Sequence, residues 1–208
     1  MSDLQKCQRC PRLTDYRIKQ KVMFPDYHCL PVAGFGAANA KLLIVGLAPG
    51  LHGANASGRP FTGDASGDML FATLHKYGFA SQARSRSQHD NMHLVDCRIT
   101  NAVKCAPPQN RPNGDEIKRC NTYLRAEISA LPAASLILAL GTVAHNSILK
   151  ALDLQQSLTR FAHLAEHHLS NQVRLLDSYH CSRYNFNTGR LNQAMFEQVF
   201  QRARQILT

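Results

Sequence analysis

Four short stretches of the chain are rich in apolar residues, and between them such residues recur mainly at helical spacing. "KLLIVG" (41–46) is brief, apolar and stopped by Gly46, which predicts a buried strand. "RITNAV" (98–103) predicts a second. It runs straight into "KCAPPQNRPNGDE", whose three prolines forbid a helix interior or a central strand. "SLILALG" (135–141) is the clearest strand, and "VRLLDSYH" (173–180) is the fourth.

Helical spacing dominates elsewhere. "SGDMLFATLHKYGF" (66–79) predicts a helix with Ser66 as its N-cap and Gly78 as its stop. "GDEIKRCNTYLRAEISAL" (114–131) predicts another, with Asp115 and Glu116 in the favourable first turn. "TVAHNSILKAL" (142–152) follows the third strand. Near the C-terminus, Leu191, Ala194, Met195, Val199, Ala203 and Ile206 make one helical stripe. "SQARSRSQHDNMH" (81–93) is polar and basic, an exposed loop. The alternation predicts one α/β domain over 1–208, an α/β/α sandwich around a central, mostly parallel four-stranded sheet with helices on both faces. Ligands of such folds bind beyond the carboxyl ends of the strands. The loop opening at Gly46, Asn101 and His180 all fall there.

Composition narrows the partner. The chain has 208 residues, enough for one good core, and 44% of them are apolar. Its formal charge is +10, from 24 Lys and Arg against 14 Asp and Glu. That balance favours a polyanion, because neutralised phosphates release counterions. No run approaches the roughly 18 apolar residues of a membrane span. "MSDLQKCQRC" lacks the apolar core of a signal peptide. A cytoplasmic protein is expected, where thiols stay reduced and the seven cysteines need another use.

Cys7 and Cys10 form a C-x-x-C before Pro11, Cys105 lies in the proline-rich loop, and Cys120 sits early in the next helix. Four thiolates in two groups suit a tetrahedral zinc or a [4Fe–4S] cluster, and spacing leaves the two open. The plainer alternative makes Cys105 and Cys120 small buried apolar residues. Either cofactor would have a structural role, fastening an N-terminal segment of about residues 1–30 to the loop after the second strand. Cys97 reads as core, and Cys181, beside His180, as a space-filler rather than a nucleophile.

The remaining motifs carry a resemblance. "GLAPGLHGANASGRPFTGD" (46–64), "TNAVKCAPPQNRP" (100–112) and "SYHCSRYNFNTGRL" (178–191) resemble three motifs of the iron–sulfur uracil-DNA glycosylases. "CQRCPRL" with Cys105 and Cys120 resembles their cluster ligands. The match runs from Cys7 to Leu191 in the family's order. It is closest to family 5, type b, because Leu47 stands where family 4 has an acid and "SYH" where family 4 has "HPS". Gly50 departs from type b, which often has alanine there.

The resemblance implies a monofunctional glycosylase that excises uracil from DNA, with a structural [4Fe–4S] cluster on Cys7, Cys10, Cys105 and Cys120 and zinc as the lesser alternative. Such an enzyme flips a nucleotide into a pocket. Gly46, Ala48 and Gly50 would bring backbone close to the base, Phe61 would stack on it, and Asn101 would bond its edge. His180 would donate to a carbonyl oxygen of the departing base. Leu47 cannot activate water, and Asp64, which closes the same loop, matches the aspartate of type-b enzymes, so the resemblance implies Asp64 as the catalytic carboxylate. Asp68 is its rival, though its place early in a helix suits dipole complementation. Arg183 and Tyr184 would enter the duplex where the base has left. A pocket built of backbone and one amide admits uracil, hypoxanthine or xanthine. A monomer acting on DNA with deaminated bases, and on no membrane, is expected. Two other classes compete: a non-catalytic nucleic-acid-binding module around a structural four-cysteine zinc, and an enzyme of small nucleotides. The charge and the candidate wedge loop argue against the second.

Overall fold

The computed structural model describes residues 4–169 and 173–208, so the first three residues of the anticipated metal-binding segment lie outside it. Its strands are β1 (Phe35–Gly36), β2 (Leu42–Gly46), β3 (Cys97–Asn101), β4 (Leu136–Leu140), β5 (Glu166–His168) and β6 (Arg174–Ser178). Its helices are α1 (Pro11–Met23), α2 (Ala54–Ser57), α3 (Ala65–Lys76), α4 (Gly114–Ser129), α5 (Thr142–Ala151), α6 (Arg183–Asn187) and α7 (Gln193–Leu207).

The sheet has the order β1-β3-β2-β4-β6-β5. Its four central strands are parallel and are the four the apolar runs predict. The sheet is nevertheless six strands wide, because β1 and β5 add antiparallel edges. At two and three residues, these edges are too short to leave a period in the sequence, and their brevity blunts the sheet margin. All five residues of β4 are buried, since helices cover both faces.

Period-2 alternation divides the core. Leu42, Ile44, Leu136, Leu138 and Leu176 face α3 and α7, packing on Leu70, Phe71, Phe196 and Phe200. Leu43, Val45, Ile137, Ala139 and Leu175 face the other way, against Leu124 and Ile128 of α4 and Ile148 and Leu149 of α5. Helix α7 departs from the predicted stripe. Leu191 is buried but precedes the helix, and Ala194 is exposed. Phe196 and Phe200 take the core face, because large aromatic surface gains most from burial, and Ala194, two residues before Phe196, projects from the opposite side.

Buried polar groups brace the end of the sheet that carries His180. The Asp177 carboxylate lies 2.8 Å from His145 Nδ1 and 3.0 Å from His167 Nε2, tying α5 and β5 to β6. On the other side, Lys104 is buried against Glu127 at 2.6 Å, and Glu127 also meets Arg98.

Candidate active site

The β2–β3 register pairs Gly46 with Asn101. A Cβ on Gly46 would stand 2.5 Å from Asn101 Oδ1 and 2.7 Å from the Phe61 ring. Only a residue without a side chain fits, so strand end, amide and aromatic ring converge through Gly46. Above them lies a cavity of about 340 Å³, within the range of small-ligand sites. Ala48, Gly50, Phe61, Asp64, Asn101 and His180 all line it, together with Leu47, and Gly46 lies beneath. It opens beyond the carboxyl ends of the strands, where β3 and β4 lie on either side of β2 and the order of the sheet reverses.

Phe61 adopts φ 55°, a left-handed conformation rare for an aromatic residue and costing of order 1–3 kcal/mol. Its carbonyl packs on the start of α3, where any Cβ on Gly67 would overlap it. The turn holds the ring 5.9 Å from the His180 imidazole, the planes 25° apart. Asn101 is 3% exposed, and its amide has no partner among the described residues, which leaves donor and acceptor available at the cavity wall.

Asp64 is the N-cap of α3: its Oδ1 accepts the Gly67 N–H at 3.0 Å, and Oδ2 lies over the Gly50–Gly53 turn. This corrects the predicted start of the helix, since Ser66 falls inside the first turn. A cap needs extended backbone, which Asp64 has (φ −140°, ψ 167°). Asp64 supplies the cavity's carboxylate among the described residues. Asp68 is exposed and borders a different hollow with Ala65 and Met69.

Burial holds the His180 imidazole below its usual pKa, against the opposing pull of the Asp64 carboxylate. At neutral pH the ring is therefore uncharged and can donate one N–H. Cys181, beside it, is buried with its Sγ toward the Ser66 carbonyl, and burial pushes its thiol far up, as suits a space-filler.

Arg183 and Tyr184 do not line the cavity. They stand on α6, directly after Ser182, which does, and Tyr184 is 72% exposed. Asn110, which none of the sequence motifs marks as a site residue, also lines the cavity, and its φ of 55° follows Gln109 at 54°. Their place between Pro108 and Pro112 was the available signal.

Cys7, Cys10, Cys105 and Cys120 line one small cavity with Leu13 and Val103. Burial pushes the Cys105 thiol up to about 12 and the Cys120 thiol up to about 11, although the Lys104 backbone N–H donates to the Cys120 sulfur at 3.2 Å. The Cys10 thiol is raised by burial and by Glu116. Among the described residues, the one group of three ligand atoms mutually within 4.8 Å is His145, His167 and Asp177, whose carboxylate oxygens already meet both imidazoles. Ala48 packs against this group of cysteines and also lines the cavity at the strand ends, so the two share a wall.

A family model described as Uracil DNA glycosylase superfamily matches residues 33–204. A type-5 uracil-DNA glycosylase of Thermus thermophilus is 40% identical over 98% of this chain and 94% of that protein. One from Pyrobaculum aerophilum is 39% identical over 96% and 88%. A type-4 uracil-DNA glycosylase of Pyrobaculum aerophilum is 32% identical, over 72% and 62%. The solved structure of Pedobacter heparinus SMUG2 superposes with a TM-score of 0.50 at 11% identity, covering 81% of this chain and 76% of that one, a likeness of fold.

Proposed function

The chain belongs to the uracil-DNA glycosylase superfamily, and on that premise we propose how its cavity works. It is a DNA glycosylase, hydrolysing the N-glycosidic bond of uracil in DNA for base-excision repair. One observation carries the proposed division of labour. Phe61, Asp64, Asn101 and His180, drawn from three separate parts of the chain, meet at one cavity of about 340 Å³.

An extruded uracil stacks on Phe61 and pairs its polar edge with the Asn101 amide. As the C1′–N1 bond breaks, its electron pair leaves with the base and positive charge grows on the sugar. The neutral His180 N–H stabilises the departing anion at a carbonyl oxygen. Asp64, with Oδ1 fixed by the helix, uses Oδ2 to orient the attacking water and to oppose the sugar's charge. The water oxygen bonds C1′ and its proton passes to Asp64. Tyr184 and Arg183 fill the gap left in the duplex. This arrangement favours an enzyme over a non-catalytic module.

Cys7, Cys10, Cys105 and Cys120 hold a [4Fe–4S] cluster, a reading supported by their convergence on one cavity with Leu13 and Val103 and by the family the chain belongs to. The cluster supplies a structural crosslink. The N-terminal segment is otherwise bound by the Arg12–Glu116 pair at 2.7 Å and by backbone bonds from His28 and Cys29 to Ala56 and Asn55. Residues 1–208 form one domain of a monomeric protein acting on DNA in the cytoplasm. No helix among the described residues is long and apolar enough to cross a membrane.

The test is single-turnover excision on duplexes carrying uracil, hypoxanthine or xanthine, with wild type and Asp64→Asn. Abasic product from uracil and from at least one purine, lost in the variant, supports both the cavity and its broad base range. Equal activity of the variant on uracil overturns the assignment of Asp64.

A further inference from the structure

The basic loop 81–93 has no part in the cavity, yet it is built into the turn that carries Phe61. Its base is closed by the Ala80–Leu94 bridge and by Ser81 N–H donating to the His93 carbonyl at 2.9 Å. Its interior is held by one carboxylate. Asp90 accepts the backbone N–H groups of Arg86, Ser87 and Met92 at 2.6, 3.2 and 3.1 Å and the Arg59 guanidinium at 2.6 Å. The same Arg59 nitrogen donates to Ser85 Oγ at 2.8 Å, and that hydroxyl lies 2.7 Å from Thr62 Oγ1. Arg59 is 5% exposed and covers the Phe35 ring. Burial raises the Asp90 carboxyl, but Arg59 and the three backbone donors outweigh it and hold the group far below the usual range. Arg59 and Thr62 flank Phe61 in the chain, so loop and base platform form one rigid piece.

That joint consumes the loop's only acid and leaves its cations outside. Arg84 and Arg86 are exposed and share a hollow with Gln82 and Asp90, but Asp90 is paired with Arg59, and neither arginine has an acidic partner within salt-bridge distance among the described residues. Arg84 also borders the hollow formed by Ala65, Asp68 and Met69 at the start of α3, immediately after Asp64. Asp68 faces that hollow without pairing to it. The result is two guanidiniums without an acidic partner, Arg84 beside the start of α3 and Arg86 next to it, on a loop whose backbone is tied to Asp90 at Arg86, Ser87 and Met92. A polyanion with charges spaced along a rigid rod fits such a surface.

We propose that loop 81–93 is a DNA-backbone contact, in which Arg84 and Arg86 each neutralise a phosphate near the extruded nucleotide and the Asp90–Arg59 joint sets their register to Phe61. The proposal rests on the glycosylase reading and goes further, naming a surface outside the cavity. The experiment measures the Kd of the full-length protein for an undamaged, fluorescently labelled duplex between 50 and 200 mM salt. Each phosphate contact adds about 0.9 to the slope of log K against log salt. Arg84→Ala/Arg86→Ala is expected to lower the slope by about 1.8, so that the variant loses about twelvefold less affinity than wild type across that range. Arg84→Lys/Arg86→Lys restores the slope, and Arg125→Ala, whose guanidinium is paired with Asp153, leaves it at the wild-type value. A wild-type slope in the double alanine variant overturns the proposal. Failure of the glycosylase reading is separate, and would appear as wild-type protein that binds duplex but releases no uracil.

Discussion

Asp64 and Gly67 are joined by a 3.0 Å hydrogen bond from the Gly67 N–H to Oδ1, which makes the proposed catalytic carboxylate the cap of helix α3. One oxygen is committed to the fold and the other is left over the Gly50–Gly53 turn at the cavity. Because asparagine caps as well as aspartate, charge and cap can be separated by mutation. Asp64→Asn should keep the melting temperature near wild type while cutting single-turnover excision at least about a hundredfold. Asp64→Ala should lose the cap as well, about 1 kcal/mol of stability. Asp68→Asn should excise at the wild-type rate; a dead Asp68→Asn beside an active Asp64→Asn would falsify the assignment.

Gly46→Ala tests the convergence beneath the base. The added methyl would meet the Phe61 ring and Asn101 Oδ1 at 2.7 and 2.5 Å, displacing platform and amide together. Excision of uracil should collapse while affinity for undamaged duplex holds, because phosphates dominate general binding. Asn101→Ala should show the same separation. Loss of undamaged-DNA binding in either variant would show that the cavity does not hold the flipped base.

The cysteines predict colour. As purified, the protein should be brown and contain iron and sulfide, and Cys120→Ala should lose both colour and soluble yield. Cys181→Ala should keep both, since its buried sulfur lies outside the quartet. Colourless protein with one zinc and full activity removes the cluster.

Stability should fall with acid. Burial holds His28, His163 and His180 below the ordinary histidine pKa. The unfolded chain then binds more protons than the folded one as pH drops below about 6.5, so stability present above that pH is lost on acidification. The melting temperature is expected to decline from pH 7 to pH 5, and less steeply in His180→Asn. An unchanged slope in that variant would show that His180 is not desolvated in solution.

Tyr184 should matter to duplex more than to single strands. With 72% of it exposed just after cavity-lining Ser182, it is placed to replace a stacked base, an interaction of roughly 1–3 kcal/mol. Tyr184→Ala is expected to slow excision from duplex about tenfold and from single-stranded DNA little. Equal slowing on both substrates would argue against a wedge.

Legible in the chain alone were the central strands and the fall of Gly46, Asn101 and His180 at their ends, whereas Phe61 and Asp64 were singled out by the family resemblance. The strands and their ends are local features: a buried parallel strand is a continuous apolar run, and "GLAPG" and "TNAV" sit one step beyond two of them. Tertiary structure decided what depends on pairing between distant residues. Nothing local distinguishes Asp64 from Ser66 as the cap, or turns Asp68 toward another hollow. Backbone dihedrals and the packing of Phe61 onto Gly67 do that. The edge strands β1 and β5 exist only because β3 and β6 offer them hydrogen bonds. The gathering of the four cysteines at one cavity and the Arg59–Asp90 joint, 31 residues apart in sequence, likewise leave no period along the chain. Polar contacts between remote segments are set by geometry alone, and geometry is fixed only once the apolar strands have packed.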